Sequence, residues 1–108
     1  MSPVVEEVFV GDLVDAADVA RVAGASPRSV VRWRAGDVSP RRETEDRLLE
    51  LNAVLDLARR VFRDDVARKW LRSPIPALDY EKPLDLLARG DWRRVVNTLL
   101  AIAEGVTA

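Results

Sequence analysis

The residues best placed to do chemistry in this chain are arginines. Between positions 28 and 42 stand Arg28, Arg32, Arg34, Arg41 and Arg42, against the single acid Asp37. Residues 1–24 reverse the balance, with Glu6, Glu7, Asp12, Asp15 and Asp18 against Arg21 alone. A formal net charge of −1 gives the whole chain no reason to meet a polyanion. The locally basic stretch does, because the guanidinium fork binds phosphate and the guanine edge in bidentate fashion. Most other chemistry is closed off. There is no Cys and no His, which excludes disulfides, thiolate or imidazole metal sites, Cys nucleophiles and His-based triads. The carboxylate pairs Glu6-Glu7 and Asp64-Asp65 are adjacent, so on a helix they diverge; they read as solvated or helix-capping groups. No Gly-rich phosphate loop occurs. The expectation is a binding protein, not an enzyme, with no cofactor and no metal.

The elements that must position these arginines can be read from periodicity and capping. With 48% hydrophobic and 32% charged residues in 108, the chain can bury a core as one domain, or as two small helical subdomains sharing one core. Val4, Val5, Val8 and Phe9 fit a short amphipathic helix, although Val8-Phe9-Val10 also suits an extended segment. Asp15 is placed to N-cap the next helix, with Asp18 completing a weak capping box, and Gly24 ends it. Ser26-Pro27 then starts a second helix that stops at Gly36. Two short helices joined by a tight Gly-containing turn form a helix-turn-helix pattern. In the second helix Val30 and Trp33 share the buried side, while Arg28 and Arg32 fall opposite with Ser29 beside them. Arg34 lies nearer the core flank, in reach of a phosphate.

Ser39-Pro40 offers another helix start, and the long helix beyond it runs to about Phe62. Its residues Leu48, Leu51, Leu55, Ala58 and Phe62 form a seam two heptads long, which offers a dimer interface. Asp64-Asp65 is expected to cap a helix carrying Val66, Ala67, Trp70 and Leu71. A proline-punctuated connector follows at residues 73–78. Lys82-Pro83 opens a short helix closed by Gly90, and Asp91 caps a last helix with Trp92 in its first turn and Gly105 at its end. The resulting expectation is all-α, with a helix-turn-helix region over residues 1–42 and a second helical region over 43–108. The N-terminus lacks the features of a secretory signal and no apolar run nears the roughly 20 residues of a membrane span, so a cytoplasmic protein with no membrane partner is expected.

Two segments together resemble one family. Ala25-Ser26-Pro27-Arg28-Ser29-Val30-Val31-Arg32-Trp33-Arg34-Ala35-Gly36 looks like the helix-turn-helix of Xre-type proteins. Lys82-Pro83-Leu84-Asp85-Leu86-Leu87, then Gly90, Val95-Val96, Leu99-Leu100 and Glu104-Gly105-Val106, resembles the toxin-binding region of the Xre/MbcA/ParS antitoxins, and Trp70-Leu71-Arg72-Ser73-Pro74 fits between them. The likeness covers about residues 15–108 and is nearest the MbcA branch. It departs at Ile75, where many relatives carry Asn, and at Tyr80-Glu81, shortly before the Lys-Pro step, where many carry Gly. Both changes bear on the partner-facing surface.

The resemblance implies an antitoxin that pairs with a RES-domain toxin, an enzyme that destroys cellular NAD, and buries the entrance to the toxin's active site. It places Glu104, Gly105, Val106, Thr107 and Ala108 at the toxin cleft and Lys82 and Trp92 at its rim; NAD belongs to the toxin. It also implies binding of operator DNA, with Ser26, Arg28, Ser29 and Arg32 as contacts and Arg34, Arg41 and Arg42 on phosphates, in a homodimer and a larger hetero-oligomer with toxin. The competing reading is a stand-alone helix-turn-helix repressor whose back half only dimerises.

Overall fold

Local capping chemistry fixes the front of the chain. In the computed structural model, which describes residues 2–105, Asp15 Oδ1 accepts from the Asp18 amide at 2.8 Å and Asp18 Oδ2 accepts from the Asp15 amide at 3.0 Å. This reciprocal box starts helix α2, Ala16–Ala23, which ends at Gly24 in the left-handed conformation. Ser26 Oγ accepts from the Ser29 amide at 3.1 Å and starts α3, Pro27–Ala35. Ahead of them lies α1, Pro3–Glu7, followed by a 3-10 turn at Val10–Asp12. Val8 and Phe9 are helical in backbone, so the extended alternative for Val8-Phe9-Val10 is set aside. The remaining helices are α4 (Arg42–Val61), α5 (Asp64–Leu71), α6 (Pro83–Ala88) and α7 (Trp92–Ala103), with a second 3-10 turn at Pro76–Leu78. Among the described residues extended pairing is limited to one isolated bridge between Ile75 and Glu81. The fold is all-α.

Three local expectations need correction. Helix α4 begins at Arg42 with Arg41 as its cap residue, not at Ser39-Pro40. Asp64 and Asp65 lie inside the first turn of α5 after Arg63, where they complement the helix dipole instead of capping it. Asp91 occupies the cap position of α7 without a side-chain cap bond, because its carboxylate faces Arg94 at 3.3 Å.

Helix α4 is the spine. It packs against α1, α2, α5 and α7, and Leu48, Leu51, Val54, Leu55 and Ala58 are each at most 1% exposed. The heptad seam is therefore internal: it meets other helices of the same chain, and a dimer would need another surface. Phe62, at the end of the seam, packs against Trp70 with ring centres 5.5 Å apart and the planes inclined at 43°. The same core continues without a break from Val4 and Val5 through Val30 and Trp33 to Leu86, Val95 and Leu99. Each such Leu or Val contributes about 1.5–3 kcal/mol when fully buried.

A second set of contacts binds front to back. Between α1 and α2 the backbone leaves regular helix, and its carbonyls need donors. Three arginines supply them. Arg59 donates to the Val10 carbonyl (2.9 Å) and the Glu7 carbonyl (3.2 Å). Arg68 donates to the carbonyls of Asp12 (2.8 Å) and Gly11 (3.1 Å). Arg72 donates to the Leu13 carbonyl at 2.9 Å and to the Asp18 carboxylate of the capping box. Arg21 of α2 also pairs with Asp85 of α6 at 2.7 Å.

Candidate functional site

Helix α3 turns Val30 and Trp33 into the core and leaves Arg28 and Arg32 on its outer side, one turn apart and exposed. Neither arginine enters an ion pair among the described residues, whereas Arg21, Arg59, Arg63, Arg72, Arg89 and Arg94 each pair with an acidic side chain. Ser26 and Ser29 stand at the start of this helix with their hydroxyls 3.0 Å apart, committed to the cap and still at the surface. Between the arginines Val31 is 58% exposed. A face that combines two unpaired guanidinium forks with a small apolar side chain suits the edge of a base pair, where guanine offers two acceptors and thymine a methyl group.

The flanking cations differ in kind. The Arg34 guanidinium lies 4.0 Å from the centre of the Phe9 ring, so it is held by a cation–π contact with the N-terminal segment while remaining exposed. Arg41 and Arg42 are exposed at the start of α4. A helix N-terminus carries partial positive charge and disfavours cations there by some tenths of a kcal/mol. These two arginines do not stabilise their own helix, and an external anion is the partner their position suits.

At the other end, Lys82 occupies the cap position of α6 and is exposed, with no ion pair among the described residues. Trp92 opens α7, half-buried against the core, with the Arg93 guanidinium 5.0 Å from its ring centre. Arg94, two residues on, reaches Asp79 at 3.3 Å and Glu81 at 3.6 Å, which fixes the turn before Lys82 against the first turn of α7. Glu104 and Gly105 lie exposed beyond α7, Gly105 with φ +77°. Val106, Thr107 and Ala108 lie outside the described residues.

The sequence marks the connector at residues 73–78 and the departures at Ile75 and Tyr80-Glu81, but not the ion pairs and backbone that shape the turn between Ile75 and Glu81. Arg89 pairs with Glu81 at 2.7 Å, and this hydrogen-bonded partner, aided by Arg94, holds the Glu81 carboxyl below its ordinary pKa. Within the turn Asp79 and Tyr80 both take positive φ, +55° and +63°. No propensity signals a tyrosine there.

Other surfaces offer less. A shallow depression of about 170 Å³ between α1 and α4 is lined by Ser2, Pro3, Val4, Glu7, Glu45 and Leu49, but Ser2 Oγ is bonded to Glu45 at 2.6 Å and Glu7 to Asn52 Nδ2 at 2.9 Å. No helix among the described residues is long and apolar enough to cross a membrane, and none of them form a group of three acidic side chains suited to a metal ion.

Comparison with known proteins places this geometry. Residues 57–105 match the family model of the antitoxin Xre/MbcA/ParS C-terminal toxin-binding domain. The mycobacterial cidal antitoxin MbcA of Mycobacterium tuberculosis is 44% identical over 97 residues, covering 90% of this chain and 78% of that protein. The MbcA protein of Mycobacterium bovis matches to the same extent. A chain in the crystal structure of the M. tuberculosis MbcT–MbcA toxin–antitoxin complex superposes with a TM-score of 0.85 at 37% identity, over 100% of both chains.

Proposed function

Because this chain belongs to the MbcA-like Xre/MbcA/ParS antitoxins, we propose that it neutralises a RES-domain, NAD-degrading toxin by covering the toxin's active-site entrance. It works in the cytoplasm, as part of a larger hetero-oligomer with the toxin, and catalyses nothing itself. One observation carries this reading: the whole chain superposes on a protein of a toxin–antitoxin complex, and the matched domain ends on the exposed Glu104-Gly105 step. A backbone released from its helix there can enter a cleft too narrow for a helix. Lys82 and Trp92 form the rim contacts, and Glu104 to Ala108 the insertion.

A second activity, binding of operator DNA, is supported by the unpaired Arg28 and Arg32 on the outer side of α3. Two antitoxins in a dimer would offer two such helices to successive half-sites. Residues 1–42 would supply this activity and residues 43–108 the toxin-binding one, over the shared core.

The test is co-expression with a RES-domain toxin from the same genome, in two arms: the 108-residue chain and a version ending at Ala103. Growth and NAD restored by the full chain alone is the expected result. Rescue by both arms moves inhibition off the terminal residues. Rescue by neither, with both proteins soluble, refutes the antitoxin assignment and leaves the repressor.

A further inference from the structure

Tyr80 is 71% exposed, the largest value among the exposed large hydrophobic side chains. Its backbone is as unusual as its exposure. Asp79 and Tyr80 are consecutive left-handed residues, a conformation that bulky L side chains rarely adopt and that persists only where the surroundings over-determine it. Here they do. The Tyr80 amide donates to the Ile75 carbonyl at 3.0 Å, the Glu81 amide to the Leu78 carbonyl at 3.0 Å, and the Ile75 amide to the Glu81 carbonyl at 3.1 Å. Leu78 is 1% exposed and anchors the turn from below. Asp79 and Glu81, on either side of Tyr80, are tied by Arg94 and Arg89.

The backbone on both sides of Tyr80 is thus pinned, and the ring stands outward beside the exposed Asp79 and Lys82. Nothing in the fold needs a tyrosine at this position, since a glycine would adopt the same backbone without strain. A tyrosine has only two side-chain torsions to order, so on a fixed backbone it loses little conformational freedom on binding, which suits it to anchor an interface.

The geometry points to Tyr80 as an anchor of the toxin interface, its ring seated in an apolar socket on the toxin that is bordered by carboxylates. The occupant follows from position and charge. Tyr80 lies inside the matched toxin-binding domain, two residues before Lys82 and in a turn pinned to the start of α7. Around it Asp79, Glu81 and Asp91 pair with Arg89 and Arg94, which leaves one negative charge over. Lys82 and Arg93 enter no ion pair among the described residues, and with them the charge of this group of side chains turns to a net +1. This inference rests on the antitoxin reading.

The experiment measures affinity of the 108-residue chain for a RES-domain toxin from the same genome, with thermal unfolding of each variant alone. Tyr80→Gly is expected to unfold at the native temperature or above, because the backbone strain is gone, and to bind at least about tenfold more weakly. Tyr80→Phe is expected to bind within about threefold of native, and Val10→Ser, an exposed residue elsewhere, to bind as native. Tyr80→Gly binding as native overturns the inference. So does a marked loss of stability, since the ring would then be serving the fold. Tyr80→Phe binding as weakly as Tyr80→Gly overturns the apolar socket. A native chain that binds no toxin refutes the antitoxin reading itself, a distinct result.

Discussion

Replacing Arg72 with Met should destabilise the whole protein, and the size of the effect can be worked from its contacts. The methionine keeps the apolar stem and removes the guanidinium, which donates to the Leu13 carbonyl at 2.9 Å, to the Arg68 carbonyl at 3.0 Å and to the Asp18 carboxylate. Leu13 is fully buried, so its carbonyl loses a donor with little access to water, at about 1–3 kcal/mol. The Asp18 pair is partly screened, with side chains 37% and 21% exposed, and counts for about 0.5–1 kcal/mol. The total is about 1.5–4 kcal/mol, which for a domain near this size lowers the unfolding midpoint by roughly 6–30 °C. Thermal unfolding followed by circular dichroism measures this directly, and a double-mutant cycle with Asp18→Asn isolates the ionic part. Since Arg72 joins α5 to the segment leading into α2, the loss should appear as one shifted transition. A midpoint within about 3 °C of native, or an early transition that spares the C-terminal helices, would refute the reasoning.

If α3 faces DNA, Arg28→Ala with Arg32→Ala should abolish operator binding measured by fluorescence anisotropy and leave toxin inhibition unchanged. Arg41→Ala should weaken operator binding across sequences and flatten the salt dependence by about 0.9 in log–log slope. Arg34→Ala should lower stability by about 0.5–1 kcal/mol in urea denaturation through loss of the Phe9 contact, and the double change with Phe9→Leu should show coupling. Glu81→Gln should narrow its stability deficit in acid. Arg89 and Arg94 hold Glu81 below the ordinary value of 4.5, so in that range the unfolded chain binds more protons than the folded one. The stabilisation from Glu81 is present above the unfolded pKa and is lost as pH falls through the folded one, and urea titrations between about pH 6 and about pH 3 should show native and variant converging.

What was legible in the sequence were features that a few neighbouring residues decide. Asp15 with Asp18, Ser26 with Pro27, and Gly24 and Gly36 bracket α2 and α3 because capping acts within one turn. Trp33 reads as core because its position relative to Val30 fixes its side of the helix. Contacts set by distant chain geometry left no such trace. Arg59, Arg68 and Arg72 look like solvent-facing cations by spacing, and their carbonyl partners lie about fifty residues away in sequence. The same holds for Arg34 on Phe9. The seam of α4 had the right periodicity, yet period alone does not tell an internal neighbour from a second chain. Tyr80 is the extreme case: its conformation runs against its own propensity and exists only because the surrounding turn imposes it.

Helix α4 runs from Arg42, at the edge of the arginine-bearing front, to Val61, within the matched toxin-binding domain, a span of about 30 Å. With its inner face locked into the core and no hinge along it, it is a rod, and a rod transmits position without transmitting a change of state. Toxin bound at one end would therefore have no ready way to switch the grip of the other end on DNA by altering its shape. Where toxin tightens an operator complex, the economical physical route is tethering. Toxin that joined several antitoxins would hold their α3 helices at high effective concentration, so repression, if α3 binds the operator, would follow the ratio of toxin to antitoxin through geometry and counting alone.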